Sequence, residues 1–313
     1  MRVHPSLLNQ RIFVTGITGI HGWPIYCRLA SFMPPERLFG IGPPGMKKPS
    51  GGSLTACCIT DRKCLREIRN FFKPTLLIHC AGVCDLDVCE MRPQWAEKIN
   101  REGTAAVVEI FGDLIPVVYL STDLVFSGND PPAGGYTEKH APDPVSVAGK
   151  TFLLGEKELT GCREWTIIRL GLPMGPSVTG DKGGLDWIEN RFRKSRPVTL
   201  FTDEYRSVIA CSELARCVGE FVAVRRNGLF HLGGPISVSL HELGQMIISG
   251  GGYNGDLLKS LRRHEEVDGP PRIGNVALNS GKIVPYLSSV PGTWRYEGTP
   301  NTTGMKPGSP IRP

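Results

Sequence analysis

Short, largely apolar runs separated by helix-length segments recur along the first half of the chain. The runs are Arg11-Ile12-Phe13-Val14-Thr15, Leu38-Phe39-Gly40-Ile41-Gly42, Thr75-Leu76-Leu77-Ile78-His79, Pro116-Val117-Val118-Tyr119-Leu120-Ser121 and Trp165-Thr166-Ile167-Ile168-Arg169-Leu170. Runs that stay apolar instead of alternating predict strands covered on both faces, and the regular spacing between them predicts helical crossovers. The expected fold is therefore α/β, a Rossmann-type doubly wound parallel sheet over residues 1–170, with Trp23-Pro24-Ile25-Tyr26-Cys27-Arg28-Leu29-Ala30 as its first helix. Beyond about residue 171 the alternation breaks. A smaller mixed lobe is expected over 171–296, with returning core elements, a short strand over 228–232 and a helix over 240–248. Residues 297–313 are mostly Gly, Pro, Thr and Ser, which predicts a flexible tail.

The first run ends directly in Gly16-Ile17-Thr18-Gly19-Ile20-His21-Gly22, and the first helix follows. Glycine is needed where a backbone must approach a pyrophosphate closely, and the helix N-terminus supplies N–H donors and a positive dipole. Strand, glycine loop and helix in this order point to a dinucleotide, with Gly16, Thr18, Gly19, Ile20 and Gly22 as contacts; an ordinary glycine turn is the plainer alternative. The carboxylate that would grip an adenosine 2′-hydroxyl at the end of the second strand is absent, and Lys47 and Lys48 follow Gly40-Ile41-Gly42-Pro43-Pro44-Gly45. Two lysines there suit a 2′-phosphate and favour NADP over NAD, or they are solvated loop residues. Asp61 is a candidate adenine-side contact or a surface carboxylate.

A composition of 40% hydrophobic and 21% charged residues is that of a soluble globular protein. The formal charge of +6 is carried in scattered pairs such as Arg193-Lys194 and Arg262-Arg263, which disfavours nucleic acid and suits an anionic small ligand. Ten cysteines occur without paired C-x-x-C motifs, and Cys57, Cys58, Cys80 and Cys211 lie in apolar runs. Reduced thiols in a cytoplasmic protein, with no metal site, are expected. Met1-Arg2-Val3-His4-Pro5 lacks the layout of a secretory signal, and no apolar run reaches membrane-spanning length.

Further segments carry a resemblance. Ile78-His79-Cys80-Ala81-Gly82, Asn100 with Gly103-Thr104, Ser121-Thr122-Asp123-Leu124-Val125-Phe126, Tyr136-Thr137-Glu138 and Val147-Ala148-Gly149-Lys150-Thr151-Phe152 join the glycine loop in a pattern spanning about residues 10–245. The chain resembles the extended short-chain dehydrogenases/reductases, and within them the dTDP-4-dehydrorhamnose reductases and related nucleotide-sugar enzymes. The resemblance implies that Cys80, Ala81 and Gly82 face the dinucleotide, and that Thr122 hydrogen-bonds a substrate carbonyl with Asp123 beside it. It makes the 171–296 lobe the substrate side, where Arg206 would pair with a phosphate or carboxylate unless it forms a surface salt bridge, and it makes His231 a structural strand histidine.

One departure governs the functional expectation. The family's proton donor is a Tyr followed four residues later by a Lys, and this chain has Ala148 and Phe152 at those positions. Hydride delivery to a carbonyl leaves an alkoxide, and a positioned acid contributes roughly 10²- to 10⁴-fold. The missing lysine would lower the phenol's pKa and hold the cofactor ribose. Lys150 should point away from the face lined by Ala148 and Phe152, and Tyr136 matches a non-catalytic tyrosine. Three readings follow. The first is a dinucleotide-binding protein with a regulatory or scaffolding role, alone, as a homodimer or with a protein partner, as in the regulatory subunit of methionine adenosyltransferase, which has the same fold. The second is a nucleotide-sugar enzyme using a substituted acid around Thr122. The third is a cleft turned to another ligand such as RNA.

Overall fold

The computed structural model describes residues 5–46, 52–178, 180, 183–266 and 268–296. The lysine pair Lys47 and Lys48 and the tail expected over 297–313 lie outside them. Twelve strands are present among the described residues: β1 Ile12–Thr15, β2 Leu38–Gly42, β3 Ser53–Ala56, β4 Leu76–His79, β5 Val117–Thr122, β6 Trp165–Leu170, β7 Leu172–Met174, β8 Val198–Phe201, β9 Tyr205–Ala210, β10 Gly228–Leu232, β11 Ser237–Ser239 and β12 Leu258–Leu261. Seven of them form one parallel sheet in the order β10-β6-β5-β4-β1-β2-β3.

Helices cover both faces, as the doubly apolar strands require. Gly22–Ala30 and Cys211–Val224 pack on one face through Ile25, Leu29, Leu214 and Phe221. Arg62–Phe72, Gly103–Phe111 and Val147–Glu158 pack on the other through Leu65, Ile68, Val107, Ala148 and Phe152. β3 has no counterpart among the expected strands. It is short and half-buried at the sheet edge, so it lacks the apolar run that marks the others. The smaller lobe places β11-β9-β7 and the pair β12-β8 with the helices Gly184–Arg193 and Leu240–Gly251 around Phe192, Val198, Leu243 and Ile247. Chain from Cys211–Val224 through β10 returns to the main sheet.

From β1 the chain runs outward through β2 and β3, and then continues on β1's other side at β4 and β5. Strand order reverses there, which opens a crevice beyond the C-terminal ends of β1 and β4. A buried polar chain holds its walls together. The Thr15 hydroxyl accepts from Cys80 N (3.1 Å) and Ala81 N (3.2 Å), so its own proton goes to His79 Nδ1 (2.7 Å). His79 Nε2–H then faces Thr104 Oγ1 (3.1 Å), whose hydroxyl donates to Asn100 O (2.6 Å). The Asn100 side chain accepts from Val83 N (2.7 Å) and donates to Val83 O (2.9 Å) and to Thr151 Oγ1 (2.8 Å). Each buried donor thereby finds an acceptor.

Two features differ from expectation or lie beyond it. Cys57 and Cys64 are paired as a disulfide, with Cα atoms 6.4 Å apart, which corrects the expectation of thiols throughout. The pair became close because the turn 58–61 folds the end of β3 back onto the start of Arg62–Phe72. No helix among the described residues is long and apolar enough to cross a membrane.

Burial holds His79 at a pKa of about 3 and His231, whose Nδ1–H donates to Tyr136 O (2.8 Å), at about 4. The unfolded chain takes up protons near pH 6.5 that these folded imidazoles refuse. Their contribution to stability is therefore complete above about pH 6.5 and falls with pH towards 4, by about 1.4 kcal/mol per pH unit for each histidine. Urea midpoints measured from pH 7.5 to 5 should drop, and His231→Asn, which keeps a donor for Tyr136 O, should drop less steeply. A variant curve parallel to the wild-type curve would exclude His231 as a contributor.

Candidate functional site

The glycine loop lies at the mouth of this crevice. Gly16 has φ +68, and a Cβ on it would lie 2.5 Å from Ala81 N, so both its conformation and its closeness to the end of β4 demand glycine. A Cβ on Gly22 would collide with the Gly16 carbonyl, and Gly19 N donates back to Gly16 O (2.9 Å). No side chain caps the start of Gly22–Ala30, which leaves a helix N-terminus open to an anion. Thr18 and Ile20 complete the loop, and Ile20 lies beneath Gly183, so the smaller lobe reaches over it. His21 Nε2 is 3.3 Å from Cys80 O across the crevice, and burial holds this imidazole down to about 4, uncharged at neutral pH. The structure thus brings Gly16, Gly19, Gly22, Cys80 and Ala81 to one place, and this surface fits a pyrophosphate.

The outer end is less polar than a dinucleotide site ordinarily is. Met46 and the Thr18 methyl pack on Gly42 at the end of β2, where no carboxylate stands among the described residues. Asp61 is the N-cap of Arg62–Phe72, accepting from Cys64 N at 3.0 Å, so its carboxylate serves the helix start.

At the inner end, Thr122 closes β5. Its hydroxyl donates to Asp123 Oδ1 (3.2 Å) and accepts from Leu124 N (3.2 Å). Asp123, fully buried, holds Arg206 by both oxygens, with Arg206 Nε to Asp123 Oδ2 at 2.7 Å and Nη2 on Oδ1. The expectation that Arg206 stands ready for a substrate phosphate, or sits in a surface salt bridge, is corrected: it is a buried tie between β9 and the end of β5. Glu204 lies beside this pair, 1% exposed, with Oε2 lacking a hydrogen-bond partner. Burial pushes it up to about 7, with the charges of Arg206 and Arg272 acting in the opposite sense.

Ala148 is fully buried on Val147–Glu158, and Phe152, four residues on, lies under Gly82: a Cβ on Gly82 would come within 2.6 Å of Phe152 Cζ. The Phe152 ring stacks near Tyr119, centroids 6.2 Å apart. Lys150 is exposed, away from that wall. Tyr136 is stacked on Phe126 at 4.1 Å, and its phenol, raised by burial, interacts with the Gly128 backbone. A hydride arriving at a carbonyl beside Thr122 would meet one hydroxyl, already engaged, and a carbon wall.

An open hollow of about 460 Å³ lined by Arg69, Lys73, Pro74 and Leu114 lies at the other end of the sheet, where the strands begin. Ligands of doubly wound sheets sit at the strands' C-terminal ends, so the crevice is the stronger candidate. Sequence reasoning missed the roles of Asn100, His79 and Glu204. His79 had a visible signal, a polar residue closing an apolar run; Asn100, set among charged residues, and Glu204 had none.

A parallel sheet with its strand order reversed at a glycine loop, followed by the Thr122 segment and the helix bearing positions 148 and 152, defines an extended short-chain dehydrogenase/reductase-type protein. The RmlD substrate binding domain model matches residues 10–300, and the chain belongs to that family. Agl14 of Haloferax volcanii, described as a probable low-salt glycan biosynthesis reductase, is 27% identical over 208 residues, 64% of this chain and 68% of that protein. Methionine adenosyltransferase 2 subunit beta of Danio rerio is 30% identical over 167 residues, 53% of this chain, which spans about half (49%) of that relative's length. Among solved structures, a hypothetical dTDP-4-dehydrorhamnose reductase from Sulfolobus tokodaii superposes with a TM-score of 0.77 at 25% identity, covering 91% of this chain and 97% of that one. The dTDP-4-dehydrorhamnose reductase of Bacillus anthracis in complex with NADP shares the fold, with a TM-score of 0.76 at 19% identity, over 90% and 95% of the two chains.

Glu204 yields a test of the buried cluster. Its folded pKa lies above its ordinary value of 4.5, so the stability it contributes is full below about 4.5, is lost as pH rises to about 7, and changes no further above that. Glu204→Gln should match wild type in chemical denaturation at pH 4.5 and exceed it at pH 8 by up to about 3 kcal/mol. Equal stability at pH 8 would mean that ionised Glu204 is fully compensated by Arg206 and Arg272.

Proposed function

We propose that this chain is a nicotinamide-dinucleotide-binding protein of the cytoplasm that does not reduce a sugar ketone and acts as a regulatory or scaffolding subunit. The observation that carries this reading is the inner wall. Ala148 and Phe152 are packed into the apolar core at the two positions where a reductase needs a phenol and an ammonium group. Neither can give up a proton, and no other acid faces Thr122 from that helix. The glycine loop, by contrast, keeps every feature that a pyrophosphate requires. Cys80, Ala81 and Gly82 would face the dinucleotide, and Asp61 would stand at the adenine side. The likeness to methionine adenosyltransferase 2 subunit beta, by its name a subunit of an assembly, supports a protein partner or homodimer.

A second reading, a nucleotide-sugar enzyme with a substituted acid, is favoured by the Thr122–Asp123 hydrogen bond at the end of β5 and by the likeness to a reductase. Under it Thr122 is the group nearest the reacting oxygen, and Thr122→Val abolishes turnover.

The deciding experiment has two parts. Mass spectrometry of the supernatant from denatured, freshly purified protein should identify a co-purified NADP or NAD. Incubation with the reduced cofactor and a 4-keto nucleotide sugar should then show no steady-state oxidation. The double variant Ala148→Tyr, Phe152→Lys should gain reductase activity if the remaining site is intact. A clear wild-type rate would overturn the non-reductase reading.

A further inference from the structure

In the inner half of the crevice, where a nicotinamide riboside would lie, the wall made by Ala148, Phe152, Asn100, Thr151 and Thr122 presents carbon or polar groups that are already hydrogen-bonded. Phe152 fills the space under Gly82 with a ring, and Ala148 beside it is a methyl group. The Asn100 amide, which could have turned outward, is held by both its oxygen and its nitrogen on Val83, with a further bond to Thr151. The Thr151 hydroxyl in turn donates to Val147 O (2.8 Å). Thr122 is engaged with Asp123 and Leu124. Between this wall and the apolar end at Gly42, Gly16, Gly19 and the uncapped start of Gly22–Ala30 form an anion cradle.

A ribose placed against a wall of carbon gives up its hydrogen bonds to water and receives few in return, at a cost that offsets the area it buries. We infer that the site recognises the adenosine diphosphate moiety and is indifferent to the nicotinamide riboside beyond it, so that ADP-class nucleotides and dinucleotides compete on equal terms. The inference rests on the proposal that the crevice is a nucleotide site. It makes Phe152 the residue that sets this breadth: an ammonium at position 152 would restore a partner for the second ribose and, with it, a preference for the dinucleotide. A protein with such a site responds to the pool of adenosine diphosphates as a whole, and the redox state of a nicotinamide ring is invisible to it.

Calorimetric titration of the full-length protein, stripped of bound nucleotide, with ADP, NAD and NADP tests this without any variant. Dissociation constants for ADP and NAD, which differ only in the nicotinamide riboside, within about threefold of each other are expected. A preference for NAD over ADP above that range would overturn the inference while leaving the dinucleotide-binding reading in place. Absence of binding by all three at millimolar concentration would overturn both. Phe152→Lys, if it folds, should shift the ratio of the ADP to the dinucleotide constant by tenfold or more towards the dinucleotide. An unchanged ratio in a folded Phe152→Lys would remove Phe152 as the determinant.

Discussion

One buried imidazole joins most of what matters in this fold. His79 receives the Thr15 proton on one nitrogen and faces Thr104 with the other, so it bridges the last residue of β1, the last residue of β4 and the helix Gly103–Phe111. Its neutrality is a condition of the arrangement, because a charged ring would have no acceptor at Nδ1, where Thr15 must donate in order to accept from Cys80 and Ala81. Those two N–H groups fix the strand end against which Gly16 closes. From there Asn100 carries the constraint to Val83 and Thr151, and so to the helix that bears Ala148 and Phe152. The crevice walls are thus held together by hydrogen bonds that involve neither Ala148 nor Phe152.

That independence explains how the helix Val147–Glu158 keeps its place without its polar pair. Ser146 caps it by accepting from Gly149 N (3.1 Å). Gly149, lacking a Cβ, lies directly on the Leu124 carbonyl, and Glu156 holds Arg169 of β6 through two bonds of 2.9 and 2.7 Å while accepting from Ser121. Removing one member of such a buried ion pair leaves an uncompensated charge and is costly. Ala148 and Phe152 pack within the apolar core, and the helix is held in place by these other contacts.

The parallel core was legible because each of its buried strands is an uninterrupted apolar run, and the glycine loop was legible because position and composition agree. β3 was not, since a half-buried edge strand such as Ser53–Ala56 carries no run to detect. The glycine loop followed from sequence order and the exclusion of Lys150 from helical spacing, whereas Tyr136 was set aside on the family resemblance. The fate of Arg206 did not: its partner Asp123 is 83 residues away, and whether a buried charge meets a ligand or another side chain is decided by tertiary approach alone. The same holds for Cys57 and Cys64, whose pairing depends on the turn between them.

The Asp123–Arg206 bond spans the two lobes, from the end of β5 in the main sheet to β9 in the smaller unit. An anion that takes the Nε and Nη2 donors from Asp123 would loosen this tie, and parting of the lobes would free the same donors. Competition for those two donors would couple ligation to lobe cohesion, each weakening the other by the same factor.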